Sequence, residues 1–170
     1  MTMKTMQWLR HAFYPTVRVH RAFPRSAMKT IAQAIHAAES RHDGEIRVAL
    51  EGALDWPELW HGITPRARAI ELFAHLHVWD TAENNGVLIY LLLAERAVEI
   101  VADRGIASRV EPAQWQALCR SMEHGLRQGR HLDAVLAGVA GVSALLAEHG
   151  ASPPTRRRNE LGDWPVVVKR

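Results

Sequence analysis

The side chains with which this sequence could do chemistry are Glu45, Asp80, Asn85 and Asp103. Carboxylates and amide carbonyls are hard oxygen ligands, suited to Ca²⁺ or Mg²⁺. Asn85 stands in the string Asn84-Asn85-Gly86 and Asp103 in Asp103-Arg104-Gly105. Both strings are also ordinary turn chemistry, in which such side chains hydrogen-bond nearby backbone. Close carboxylates repel one another, and either a cation or a guanidinium relieves the cost. Arg104 adjoins Asp103, and Arg47 falls on the same side of a strand as Glu45. An ion pair therefore competes with a metal for this cluster.

Other chemistries lack their residues. There is no GxxxxGKS/T and no GxGxxG, so the usual phosphate cradles are missing and no nucleotide cofactor is expected. Gly141-Val142-Ser143 lacks the second glycine of a nucleophile elbow. His75 and His77 are two apart, and helix neighbours at that spacing point in different directions. Cys119 is the single cysteine, so no intramolecular disulfide exists; it falls on the apolar stripe of a helix and reads as a small buried hydrophobe. Trp56, Trp60 and Trp79 line a loop surface or pack inside, and burial is the commoner fate of tryptophan.

The elements that must position the four residues are an α/β set. Ala27, Ile31, Ala34, Ile35 and Ala38 mark one helical face, with Ser26 as N-cap. Glu45–Leu50 alternates polar and apolar, the period of a half-buried strand. Residues 51–63 read as loop with a short turn of helix. Thr64-Pro65 is an N-cap followed by proline at the first helical position, and that helix should end near His77. Val87–Leu93 is apolar throughout, as in a strand covered on both faces. Ala94-Glu95-Arg96 links it to Val98–Ala102 as an antiparallel hairpin. Two helices follow, one using Trp115, Leu118, Cys119, Met122 and Leu126, the other using Leu132, Val135, Leu136, Val139, Val142 and Leu146. The order α-β-α-β-β-α-α predicts a three-layer αβα sandwich around a small mixed sheet. If the first two strands are parallel, Glu45, Asn85 and Asp103 gather at one end of that sheet, with Asp80 in the loop feeding it.

Charge divides the chain. Residues 1–38 hold six Lys/Arg and no acid, residues 153–170 hold five against two acids, and residues 39–152 hold ten Arg against sixteen acids. The pI of 9.5 would suggest nucleic acid, but basic ends on an acidic body weaken that reading. Three segments are expected: a basic amphipathic stretch 1–23 that packs on the domain or lies on an anionic membrane, a domain over 24–150, and an extended tail over 151–170. Ala134–Ala147 is shorter than the roughly 17–25 apolar residues that a membrane span needs. A cytoplasmic location is expected.

Three strings together bring a family to mind. Glu39-x-x-x-x-Gly44-Glu45-Ile46-Arg47-Val48, Asn85-Gly86-Val87-Leu88-Ile89-Tyr90-Leu91 and Val98-Glu99-Ile100-Val101-Ala102-Asp103-Arg104-Gly105-Ile106 resemble the TPM domain. The Trp115 helix and the tail from Asn159 to Val167 look like its bacterial branch without membrane helices. The resemblance implies an αβα sandwich. It also implies an accessory or interaction module, with LemA-type membrane proteins as partners in bacteria, or a divalent-metal-assisted phosphatase. Glu45, Asn85 and Asp103 match positions of the family pattern. Better-known members carry an Asp shortly before the first helix, where this chain reads Phe23-Pro24-Arg25-Ser26.

Overall fold

The computed structural model describes His11, Tyr14 and residues 16–149 and 160–168. Among them are seven helices and four strands. Helix α1 is Thr16–Ala22 and α2 is Arg25–Glu39; strand β1 is Glu45–Glu51. Then come α3 (Trp56–Trp60), α4 (Pro65–His75), β2 (Gly86–Leu92), β3 (Ala97–Ala102), α5 (Arg104–Ala107), α6 (Pro112–Arg127), α7 (His131–Glu148) and β4 (Val166–Val168).

The sheet order is β3-β2-β1-β4. β1 runs parallel to β2, pairing Glu45 with Gly86, and parallel to β4, pairing Ala49 with Val166. β2 and β3 form the expected antiparallel hairpin, with Val87 opposite Ala102. Strand alternation then sorts the side chains by face. Ile46, Val48, Leu50, Val87, Ile89, Leu91, Val98 and Ile100 join the cluster that α2, α6 and α7 cover. Ala49, Leu88, Tyr90, Leu92 and Val101 join the cluster built with Ala69 and Leu72 of α4. All seven residues of β2 are buried, as a doubly covered strand requires.

Four details depart from the sequence expectations. β1 is buried on both faces, because α4 and residues from the tail cover its polar side; Glu45 and Glu51 are 7% and 2% exposed. Helix α2 begins one residue before Ser26, with extended Pro24 as its N-cap, while Ser26 accepts from Thr30 Oγ1 through its carbonyl. Helix α4 stops at His75, and His77 adopts a left-handed φ of 54°, which a helix cannot continue through. Helix α7 has 18 residues and is long and apolar enough, by length and composition, to cross a membrane. Here Val135, Val139, Val142 and Leu146 place it in the core instead.

Both flanking segments contribute to the fold. Val19 and Phe23, at 1% and 2% exposed, sit in the core ahead of the expected boundary at Pro24. The tail, read as merely extended, docks as β4 on the open edge of β1. Expectations placed on most of residues 1–15 and on 150–159 lie outside the described residues.

Candidate functional site

The topology does bring the expected strand ends together. The Asp103 N–H donates to Gly86 O at 2.9 Å and the Gly105 N–H to Asn84 O at 2.8 Å. A Cβ on Gly105 would lie 2.5 Å from Asn84 O, so glycine is needed for this close approach. Arg104 Nε bonds Asn84 Oδ1 at 3.1 Å, so the arginine serves the neighbouring turn and, among the described residues, makes no ion pair with Glu45, Asp80 or Asp103.

The four oxygen-bearing side chains nevertheless face separate tasks. Glu45 takes the N–H groups of Glu160 and Leu161 on its two oxygens, at 3.3 and 3.1 Å. Asn85 donates from Nδ2 to Asp43 O at 3.0 Å, and its backbone N–H bonds Thr81 Oγ1 at 3.1 Å. Asp103 caps α5, accepting the Arg104 N–H on Oδ1 at 2.6 Å, and leaves Oδ2 buried without a partner. Asp80 is exposed. Among the described residues no three His, Cys, Asp or Glu side chains form a group that could hold a metal ion. The four side chains therefore do not form a ready cage for a divalent cation, which takes six to eight oxygens: both Glu45 oxygens and Asp103 Oδ1 are committed to backbone amides, and Asp80 stands exposed.

What the end of β1 does hold is the tail. Besides Glu45, Arg47 Nη1 donates to the Gly162 carbonyl. His36 Nδ1 lies 3.1 Å from Asp163 Oδ2, and Ala82 N–H donates to Glu160 Oε2 at 2.9 Å. Glu39, missed as a site residue by sequence reasoning, lies at the centre. It accepts the Ile46 N–H at 2.8 Å and hydrogen-bonds Asp163. Burial, then the neighbouring Glu45 and Asp163 carboxylates, push its pKa up to about 8 against the opposing pull of the Ile46 N–H. Glu45 is also raised, burial outweighing its two amide bonds. A protonated Glu39 is a donor to Asp163; an ionised one repels it.

This sets a pH dependence with a definite sign. Glu39 binds its proton more tightly in the folded chain, so its contribution is complete below the ordinary value of 4.5 and is lost as pH rises towards about 8. Glu39→Gln keeps both an acceptor and a donor without the charge. The variant is expected to gain melting temperature over the parent as pH climbs through that window, with no gain at its acid end. Melting curves for both proteins across the window check this; a constant difference at every pH would contradict it.

A second polar cluster sits at the other end of β1. Glu51 is held by Arg68 through Nε at 3.1 Å and Nη2 at 2.9 Å, and by the Tyr90 hydroxyl at 2.5 Å. Arg68 Nη1 also reaches Glu58 at 2.8 Å and Glu71 at 3.0 Å. Burial and then Glu51 raise the Tyr90 hydroxyl well above its ordinary range. The available signal was the polar tip of Tyr90 inside an apolar strand, since a buried tyrosine hydroxyl needs a partner.

The sequence profile of the TPM domain matches residues 20–145. The chain belongs to the TPM domain family. No curated protein matches it. Among solved structures, this TPM domain is similar to the BA42 protein of the psychrophilic bacterium Bizionia argentinensis, with 26% identity and a TM-score of 0.73 over 84% of this chain and 93% of the other. It shares its fold with the N-terminal domain of a protein from P. gingivalis, at 18% identity and a TM-score of 0.59 over 80% and 92% of the two chains. It also shares it with the N-terminal domain of the cg2496 protein from Corynebacterium glutamicum, at 14% identity and a TM-score of 0.52 over 86% and 80%.

Proposed function

We propose that this TPM domain is an accessory module without a catalytic metal, which works as a peripheral protein on an anionic membrane surface. The observation that carries the reading is the end of the sheet where β1 and β2 finish. There Tyr14 lies against Gly52, the Arg18 guanidinium stands 5.5 Å over the Tyr14 ring, and Arg96 is close enough to act on its hydroxyl. Arg18 and Arg96 are exposed there, and Arg21 and Val17, the latter at 72%, are exposed on the same helix as Arg18. Helix α3 follows β1 directly, with Trp56 and Trp60 one turn apart at 62% and 76% exposed. Those exposures overturn the expectation of burial. The Glu58–Arg68 pair ties α3 to α4, and the tryptophans stay outside.

Exposed tryptophan beside arginine suits a headgroup layer, where aromatic rings settle at the interface. Each arginine near an anionic surface is worth about 1 kcal/mol. The nearby acids are engaged: Glu95 with His11 at 2.8 Å, and Glu58 with Arg68 and the Asp55 N–H. At the opposite end the carboxylates serve the tail, which leaves a metal-assisted phosphatase without an assembled acid set among the described residues.

Co-sedimentation tests this. The protein is expected to pellet with phosphatidylglycerol vesicles and not with phosphatidylcholine vesicles. The Arg18→Glu/Arg21→Glu and Trp56→Ser/Trp60→Ser pairs should each weaken binding about tenfold or more. Equal recovery in the supernatant with both vesicle types would refute the membrane role.

A further inference from the structure

The tail is held on β1 by contacts that read its main chain. β4 pairs with β1 over Val166–Val168 alone. Ahead of it, Glu45 takes the N–H groups of Glu160 and Leu161, and Arg47 donates to the Gly162 carbonyl. A Cβ on Gly162 would lie 3.2 Å from Arg47 Nη1, so a larger residue would press on this contact. Leu161 enters the cluster built with α4, while Val167 and Val168 pack on opposite faces of the sheet. An extended segment with this spacing makes the same contacts whichever chain it comes from, as in strand addition to an open sheet edge.

One side chain of the tail works against docking as pH rises. The titratable and charged groups that act on Asp163 are His36 and Glu39 from α2, Glu45 and Arg47 from β1, and Glu160 stands beside Glu45 within the tail itself. Glu39 hydrogen-bonds Asp163, and two carboxyl groups do so only while they share a proton. His36, 3.1 Å from Asp163, is a cationic partner only when protonated. With both protons gone, Asp163 faces the Glu39 and Glu45 carboxylates, and Arg47 is the cation left to offset them.

We propose that the tail is a strap over a strand-acceptor edge: it stays docked at acid pH, lets go as pH rises, and bares β1 for an extended segment of another chain that carries no acid at the Asp163 position. The chemistry of that partner follows from the same charges. Glu39 and Glu45 outnumber Arg47 on the body, so an uncharged side chain in place of Asp163 removes the repulsion and keeps the main-chain contacts. Release is local, because β1 keeps its full pairing with β2.

Methyl resonances of the full chain test the strap. At about pH 6 the Val167 and Val168 methyls are expected to show the shifts of packed side chains, and at about pH 9 to move to mobile, random-coil values while Val87 stays unchanged. Glu39→Gln should keep them packed at both, since glutamine donates to Asp163 without a charge. A fluorescein-labelled peptide of residues 160–168 carrying Asp163→Asn tests the edge. The tethered tail competes at an effective concentration of roughly millimolar, so the peptide should bind the full chain about tenfold or more tighter at the alkaline pH than at the acid one. A tail still packed at the alkaline pH, loss of Val87 packing along with it, or release in Glu39→Gln as in the parent would overturn the strap. Peptide binding that does not strengthen with pH, or that is as strong with Asp163 retained, would overturn the docking edge. None of these outcomes depends on vesicle binding.

Discussion

Replacing Arg68 with methionine is expected to lower stability by about 3–5 kcal/mol, the usual cost of stranding one partner of a buried pair. Glu51 is 2% exposed, and Arg68 supplies two of its three side-chain hydrogen bonds. Without them the carboxylate keeps only the Tyr90 hydroxyl, and Glu58 and Glu71 lose the guanidinium that they share with it. The methionine preserves the apolar stem, so the loss reports on charge and not on packing. Urea denaturation of the variant measures it. Adding Glu51→Gln to the same chain should recover a large part of the loss, because the stranded charge is then gone. Strictly additive losses in the double variant would mean that the two side chains do not act as a pair.

Ile89→Ala is expected to cost about 2–5 kcal/mol, as for a core residue cut back to its Cβ. Ile89 is fully buried at the centre of β2, paired with Val48 on one side and Ile100 on the other. Its side chain faces the cluster made with α2, α6 and α7, so neighbours on three helices would have to move to fill the space. Close packing limits that collapse, which places the effect well above that of a surface change. The midpoint of denaturant unfolding checks it. A cost under about 0.5 kcal/mol, the range of surface substitutions, would contradict a doubly covered β2.

The sequence by itself determined the order of the principal elements and the β2–β3 hairpin, whereas the parallel β1–β2 pairing was an assumption and the β4 edge strand was not foreseen. Alternation in Glu45–Leu50, the unbroken apolar run of Val87–Leu93, Thr64-Pro65 and Asn84-Asn85-Gly86 are local signals, each set by backbone sterics and the period of one element. Thr64 does cap α4, accepting the Ala67 N–H at 3.1 Å, and Asn84 does take a left-handed φ of 51°. Given a parallel β1–β2 pair, such signals also placed Glu45, Asn85 and Asp103 at one sheet end. Only the tertiary structure decided what those side chains do there. Glu45 meets Glu160 and Leu161 across more than 110 residues, and Glu39 becomes a proton-binding group because Asp163 arrives beside it. No window of sequence carries that information, since desolvation and the Coulomb field of a distant segment act only once the tail has docked. The same holds at α3. The aromatic character of Trp56 and Trp60 argued for burial, but the other side of their short helix holds the Glu58–Arg68 contact, so the pair is left facing water.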